Sequence, residues 1–180
     1  MTAKPKVPGQ LDIANIKKGL YTWIKGETDG IIESDRIAFR DQGEPIPARP
    51  CVTIRVTSGP TRVGYEDHQQ TADDGTLRIG GLREMVVSIE TFGNVDIHKP
   101  LAYELAGMLN SSLSKESVKY LLRNFGIAIY DHGSVTNLTE IEESQYEERA
   151  EFSIRIGVAE NQKDDPGYFD KVEIPVGDFT

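Results

Sequence analysis

The sequence predicts an α+β fold, in which a mostly antiparallel or mixed sheet of about four to six strands packs two to three helices on one face. Three segments, residues 51–58, 83–92 and 151–158, alternate apolar and polar residues almost without a break. This period of two is typical of β-strands that bury one face. Apolar residues three to four positions apart at 11–25 and 101–125 indicate amphipathic helices. A protruding hairpin and a C-terminal arm complete the prediction.

The first fifty residues are predicted to form an arm, a helix, a short strand and a loop. Residues 1–10 hold two prolines and a glycine and are expected to form a flexible N-terminal arm. A helix is predicted at 11–25, and Gly26 is its predicted end. A short edge strand is expected at 36–40, and the three prolines within 41–50 predict an irregular loop.

A weaker hairpin is predicted between the first two strong strands. Residues 61–65 and 77–79 flank a polar stretch at 66–75 that ends in Asp-Asp-Gly. Aspartate and glycine favour turns, and a stretch this polar does not suit the core. We therefore expect the hairpin to protrude, and its candidate surface residues are Glu66, Asp67, Asp73, Asp74 and Gly75.

Two helices are predicted after the second strong strand. Asp96 is a possible N-cap, and Pro100 falls in the first turn of a helix that reaches Leu113. A second helix restarts at Ser114 and ends at Gly126, and a strand follows at 127–130.

The last third of the chain combines an acidic stretch with a final strand. Residues 140–151 hold six glutamates, which we interpret as a solvated face, and the third strong strand emerges from them. Apolar and polar residues alternate again at 171–176, which predicts a strand-like terminal arm. Because proline has no amide hydrogen to donate, Pro175 restricts this arm to the edge of any sheet that it joins. The predicted organisation is an arm at 1–10, a single α+β domain at 11–160 and a C-terminal arm at 161–180.

Composition narrows the class of protein. The net charge of −9 argues against tight binding of nucleic acid, which needs clustered lysine and arginine. The sequence has no apolar run long enough to span a membrane and no secretory signal. A single cysteine, Cys51, excludes an intramolecular disulfide and suggests an inert packing role in a reducing compartment.

The sequence offers no convincing catalytic, cofactor or metal site. Three histidines lie far apart, and no glycine-rich phosphate loop is present. His132 and Ser134 lack the strand–turn–helix context that a serine nucleophile needs. The glutamates at 140–151 lack a calcium-loop frame, although a small hydrolase acting through Glu143 and Glu147 remains an alternative. We predict a protein that is not an enzyme and that binds no cofactor and no metal.

An ordered set of short motifs resembles the phage neck-terminator and tail-terminator proteins of tailed bacteriophages. The motifs span residues 11–174 and are Tyr-Thr-Trp-Ile at 21–24, Pro-Ala-Arg-Pro-Cys-Val-Thr-Ile-Arg at 47–55, Gly-Leu-Arg-Glu at 81–84, Tyr-Glu-Glu-Arg-Ala-Glu at 146–151, Asp-Pro-Gly-Tyr at 165–168 and Val-Glu-Ile at 172–174. The resemblance implies a structural virion protein that forms a homo-oligomeric ring, commonly a hexamer, at the head-proximal end of the tail tube. Implied partners are the tail tube protein, a sheath protein where one exists and the head-side connector. DNA would pass through the lumen only as cargo, and no membrane is involved.

The resemblance also implies a location in the neck or tail of the virion, after assembly in the host cytoplasm. A ring needs two different contact patches on each subunit. Candidate interface residues lie on the polar strand face and in the C-terminal arm: Arg55, Glu84, Glu90, Arg155, Lys171, Val172 and Ile174. Two alternatives stay open beside the hydrolase, namely a head-completion or neck connector that contacts the portal, and a cellular α+β interaction module.

Overall fold

A computed structural model describes residues 11–40, 45–71, 77–93, 101–138, 140–142 and 145–164. Its helices are α1 (Ile13–Glu27), α2 (Ala102–Ser112) and α3 (Glu116–Asn124), with a short 3-10 helix at Ser34–Arg36. Its strands are β1 (Ile37–Phe39), β2 (Cys51–Thr71), β3 (Leu77–Phe92), β4 (Ile127–His132), β5 (Thr136–Asn137), β6 (Glu140–Glu142), β7 (Gln145–Glu147) and β8 (Arg149–Asp164). The predicted α+β class is confirmed.

Six of these strands form one mixed sheet in the order β1-β2-β3-β8-β4, and β5 also pairs with β8. β1 runs parallel to β2, whereas the other pairs are antiparallel. The parallel contact covers three residues of β2, from Val52 to Ile54. The sheet thus has two lateral sides, a β1–β2 side and a β4–β5 side.

The core lies between the helices and one face of the sheet, as the alternation predicts. Buried side chains of α1, α2 and α3 pack against Ile54, Val87 and Ile154 from the three central strands. Trp23 is 1% exposed, and its indole Nε1 donates to Ser112 Oγ at 2.9 Å, which joins α1 to α2. A Cβ added at Gly19 would lie 2.8 Å from Phe125 Cβ, so glycine permits this close approach of α1.

The start of α2 differs from the prediction. The helix begins at Ala102, and Leu101 at its N-cap is extended, with φ −65° and ψ 151°. The Leu101 amide donates to Glu104 Oε2 at 3.3 Å, which occupies one of the amide groups left open at the helix start. The helix therefore begins later than predicted, and Asp96 and Pro100, the predicted cap and first-turn residue, lie outside the described residues.

The long strands extend beyond the predicted limits. β2 continues through the polar residues 66–71, and β3 and β8 pair in unbroken register as far as Leu77 opposite Asp164. Pairing with β3 overrides a composition that suggested a loop from residue 66 onward. Beyond the parts that β1 and β4 cover, β2, β3 and β8 continue as a three-stranded ribbon. Residues 161–164 of the expected C-terminal arm are part of β8.

The acidic stretch forms a separate two-stranded β6–β7 hairpin. Glu140 pairs with Glu147, and Glu142 pairs with Gln145. The Leu138 amide donates to the Arg149 carbonyl at 2.8 Å, and this bond closes the base of the hairpin on the β4–β5 side of the main sheet.

Candidate interface on the second sheet face

The sheet face opposite the helices, called here the second face, is defined by the strand register. Residues that pair directly across antiparallel strands share a face. From one end to the other, its rows across β2, β3 and β8 are Cys51–Phe92–Arg149, Thr53–Glu90–Glu151, Arg55–Ser88–Ser153, Ser58–Val86–Arg155, Thr61–Glu84–Gly157 and Val63–Leu82–Ala159.

In the first two rows of this face, the residues of β2 and β3 are buried. The Glu90 side chain is 5% exposed and lies between two arginines. Arg40 Nη1 donates to Glu90 Oε2 at 2.7 Å, and Arg149 Nη2 lies 3.1 Å from Glu90 Oε1. Cations on both oxygens compensate the cost of burying the carboxylate. Glu90 was expected on an open polar face, but its carboxylate is already paired inside its own chain.

Arginines also cover the aromatic residue of the first row. The guanidinium groups of Arg49 and Arg149 lie 5.6 and 5.8 Å from the centroid of the Phe92 ring. Both distances fall within the range of cation–π attraction. Cys51, beside Phe92, is fully buried, and burial raises the pKa of its thiol from 9.0 to about 11 despite the opposing effect of Arg49 and Arg36. This position suits the inert packing role predicted for Cys51.

Two buried polar atoms next to Glu90 have no hydrogen-bond partner within the described part of the chain. They are Thr53 Oγ1, in the same row, and Arg149 Nε. A third is Glu148 Oε2, at the base of the β6–β7 hairpin against Gly93, where any side chain at position 93 would collide with the carboxylate. Ser88 Oγ, by contrast, donates to Glu151 Oε1 at 2.6 Å. The buried end of the second face is thus polar, and among the described residues only some of its polar atoms have hydrogen-bond partners.

The other end of the second face is open. Arg55 is exposed and makes no hydrogen bond or ion pair with any of the described residues. Arg155 is 52% exposed, and its Nε lies 3.6 Å from the Glu84 carboxylate, which is 31% exposed. Such an exposed pair contributes about 0–1 kcal/mol, so both charges remain available to a partner.

Apolar side chains accompany these exposed charges. Val63 and Leu82 pair directly and are 40% and 52% exposed. Tyr130 of β4 is 42% exposed and lies across Gly157, where any side chain would collide with its ring. A small cavity of about 170 Å³ opens close by and is lined by Val86, Asp131, Gly133, Ser153, Ile154 and Arg155. Exposed apolar and charged side chains together are typical of protein-binding surfaces.

The remaining predicted surface residues cannot be placed on this face. Asp73, Asp74 and Gly75 lie outside the described residues, as do Lys171, Val172 and Ile174 of the C-terminal arm. Glu66 and Asp67 belong to β2 and fall within the register shift between Val63 and His68, so the predicted hairpin is a β-hairpin whose first strand reaches Thr71. The interface role of all these residues stays a prediction.

Sequence reasoning missed the two arginines that bury Glu90. Arg40 is fifty residues away from Glu90 in sequence, so no local pattern connects the two. The sequence does contain a weak indication that part of the second face is buried. Cys51 and Phe92 are apolar, yet they occupy positions of their strands that belong to this otherwise polar face. Two apolar residues side by side in one row indicate that this part of the row is shielded from water.

A search of the described residues for metal ligands and membrane spans gives no candidate. No group of three or more His, Cys, Asp or Glu among them is arranged to hold a metal ion. Within the same residues, each helix is too short or too polar to cross a membrane.

Comparison with known proteins gives one family. The model of a family described as phage neck terminator protein matches residues 14–179 of the 180. The match covers α1 from its second residue, both other helices and every described strand. A search of curated proteins gives no match.

Proposed function

Because the chain belongs to the phage neck terminator family, we propose that it forms a ring that ends the tail tube and joins the tail to the head-side neck. Family membership makes it a structural protein of the phage neck and tail. The proposal adds three specific points to this role: the formation of a ring, its position on the tail tube and the passage of DNA through its lumen. The family match over residues 14–179 is the observation that carries it.

The open part of the second face supports a role that depends on contacts with other proteins. Arg55, Arg155, Val63, Leu82 and Tyr130 are all exposed, and these five residues belong to strands of one sheet. A site on strands holds its side chains in fixed positions, which suits repeated docking in an assembly. The candidate interface residues Arg55, Glu84 and Arg155 are part of this surface.

The charge of the chain supports transit of DNA rather than its retention. A net charge of −9 gives little of the phosphate neutralisation on which non-specific DNA affinity depends. A ring with this composition would let DNA slide through its lumen without strong binding. The sheath protein, where a sheath exists, and the head-side connector are the further proposed partners.

Electron microscopy of the purified chain with tail tubes tests the proposal. We expect rings on one end of each tube, and phage that lack the protein should produce tubes of uncontrolled length or tails that do not join heads. A strictly monomeric chain that never binds tubes would refute the proposal. Density for the protein on the portal, away from the tube, would instead identify a head-completion connector.

A further inference from the structure

The cavity on the second face has room for a side chain from outside the subunit. Its volume is about 170 Å³, and it lies where β3, β8 and the register shift in β4 meet. An apolar cavity of about 150 Å³ holds a benzene ring, so this volume is sufficient for one aromatic side chain. Gly133 in its lining has no side chain, and a Cβ added there would lie 3.6 Å from the Ser153 carbonyl oxygen, an ordinary contact distance. The cavity is therefore a candidate site for an aromatic ring.

The lining of this cavity includes one acid and one base. Asp131 of β4 and Arg155 of β8 are direct partners in the sheet, and both are exposed. Asp131 Oδ1 accepts from the His132 amide at 2.9 Å, but the carboxylate forms no ion pair with a described residue. Arg155 holds Glu84 only through the exposed 3.6 Å contact, which is weak. Both charges can therefore pair with a partner that enters the cavity.

Tyr120 of α3, at 67%, is the most exposed large apolar side chain among the described residues. Glu116 and Arg123 lie four and three positions away from it, so all three share one face of the helix. The Glu116 side chain is 79% exposed and pairs with Lys119 of its own helix. Arg123 is exposed and has no ion pair with another residue that the structure describes. The outer face of α3 therefore presents an aromatic ring between an acid and a base.

The helix face and the cavity are complementary in shape and in charge. Seven helical positions separate Glu116 from Arg123, which corresponds to about 10 Å along the helix axis. The Cβ atoms of directly paired residues such as Asp131 and Arg155 are about 5 Å apart, and the long arginine side chains provide the remaining reach. With Tyr120 in the cavity, Arg123 can reach Asp131. Glu116, on the other side of the ring, then faces Arg155.

The cavity and the outer face of α3 lie on opposite sides of the fold. Val118 and Leu122 of α3 are buried in the core, which lies on the first face of the sheet, whereas the cavity opens on the second face. One subunit cannot bring the two features together, so the contact requires a second copy. Contacts between two different patches are head-to-tail, and they close into a ring when the rotation per subunit permits.

We infer that Tyr120 of one copy inserts into this cavity on the next copy. Arg123 of the first copy pairs with Asp131 of the second. Glu116 pairs with Arg155 on the other side of the ring. This inference rests on the proposed ring and names the residues that join neighbouring subunits. Tyrosine and arginine are among the residue types most enriched at the energetic centres of protein interfaces, and charged pairs around them fix the orientation of the partners.

Removing the aromatic ring tests the contact in the full chain. Tyr120→Ala should weaken association about tenfold or more in sedimentation velocity, because the cavity loses its occupant. Tyr103→Ala is the matched control, since Tyr103 is 51% exposed on α2, and it should assemble like the wild type. Gly133→Leu adds a side chain to the cavity lining and should weaken association as Tyr120→Ala does. Emission of the buried Trp23 verifies that each variant is folded.

A charge exchange tests the pairing beside the ring. Arg123→Glu and Asp131→Lys should each weaken association, because like charges then meet across the contact. A chain that carries both changes should recover assembly, since the exchanged charges attract each other again. Lys18→Glu makes the same change of charge as Arg123→Glu at an exposed position of α1, and it should assemble like the wild type.

The outcomes distinguish this contact from the proposed ring. Wild-type rings together with a Tyr120→Ala variant that assembles equally well would overturn the contact and leave the ring intact. Failure of the doubly exchanged chain to recover, when it is folded, would overturn it as well. A Tyr120→Ala variant that forms rings but no longer binds tail tubes would assign α3 to the tube protein, against a contact between copies. A wild type that stays monomeric both in solution and with tail tubes would refute the ring and the contact with it.

Discussion

Replacing Glu90 by alanine is expected to destabilise the fold by about 2–3 kcal/mol. The carboxylate is 5% exposed and holds Arg40 at 2.7 Å and Arg149 at 3.1 Å. Its removal leaves two guanidinium groups facing each other without the anion between them. It also removes a group that the adjacent strands of the second face pack around.

The size of this loss of stability follows from how deeply Glu90, Arg40 and Arg149 are buried. Breaking a fully buried pair by removing one partner costs about 3–5 kcal/mol, because a charge stays buried without compensation. Here the arginine side chains are 36% and 33% exposed, so water can solvate part of each released charge. The expected loss therefore lies below that range. For a chain of this size it corresponds to a fall in Tm of roughly 5–10 °C.

Urea denaturation followed by tryptophan fluorescence measures this loss directly. Trp23 is the single tryptophan, and it is 1% exposed, so its emission reports the core. Glu84→Ala is the matched control, because Glu84 lies on the same strand and face, but its contact to Arg155 is 3.6 Å long and exposed. This control variant should lower the free energy of unfolding by less than about 1 kcal/mol. A Glu90→Ala loss no larger than that of the control would refute the reasoning.

Three further results are expected. The raised pKa of the Cys51 thiol, about 11 against 9.0, means that the unfolded chain releases its proton first, so wild type should lose about 2 kcal/mol of stability relative to Cys51→Ala between pH 9 and pH 11 in urea titrations. Gly157→Ala should destabilise by no more than about 1 kcal/mol, because the end of the Tyr130 ring that meets the new methyl group is 42% exposed and can move aside, and in a Tyr130→Ala background the same change should cost nothing in a double-mutant cycle. Deleting residues 171–180 should weaken ring assembly while Trp23 emission stays native, and an unfolded truncation would contradict a role for this arm between subunits.

Alternation along the strands predicted the sheet and its buried face, because a period of two is a local property of the chain. Val87, Ile89 and Ile154 all point into the core as expected. The lengths of β2 and β8 were underestimated, since residues 66–71 and 161–164 are polar and gain their order from pairing with β3. Pairing is a contact between distant segments, and no short window of sequence contains it.

The second face is another part of the fold that depends on contacts between distant segments. Alternation identifies the residues that share this face, but it does not identify which rows lie open. Glu90 and Arg55 occupy equivalent positions in the pattern, yet Glu90 is buried between arginines and Arg55 is exposed. The difference arises from Arg40 and Arg149, which other strands bring to Glu90. A charged strand position is therefore a candidate interface residue only once its neighbours in the fold are known.

The acidic stretch at 140–151 illustrates how register changes the meaning of composition. Taken as sequence, six glutamates indicate a solvated face, and their charge has no particular direction. The β6–β7 pairing sets Glu140 opposite Glu147, and the bond from the Leu138 amide to the Arg149 carbonyl fixes the base of the hairpin beside β5. Arg149 is the one arginine among residues 138–151, and it lies at this base, beside Glu90 and over the Phe92 ring. Arg40 and Arg49 reach the same two residues from distant parts of the chain, so the base of the acidic hairpin has cationic neighbours that its own composition does not predict.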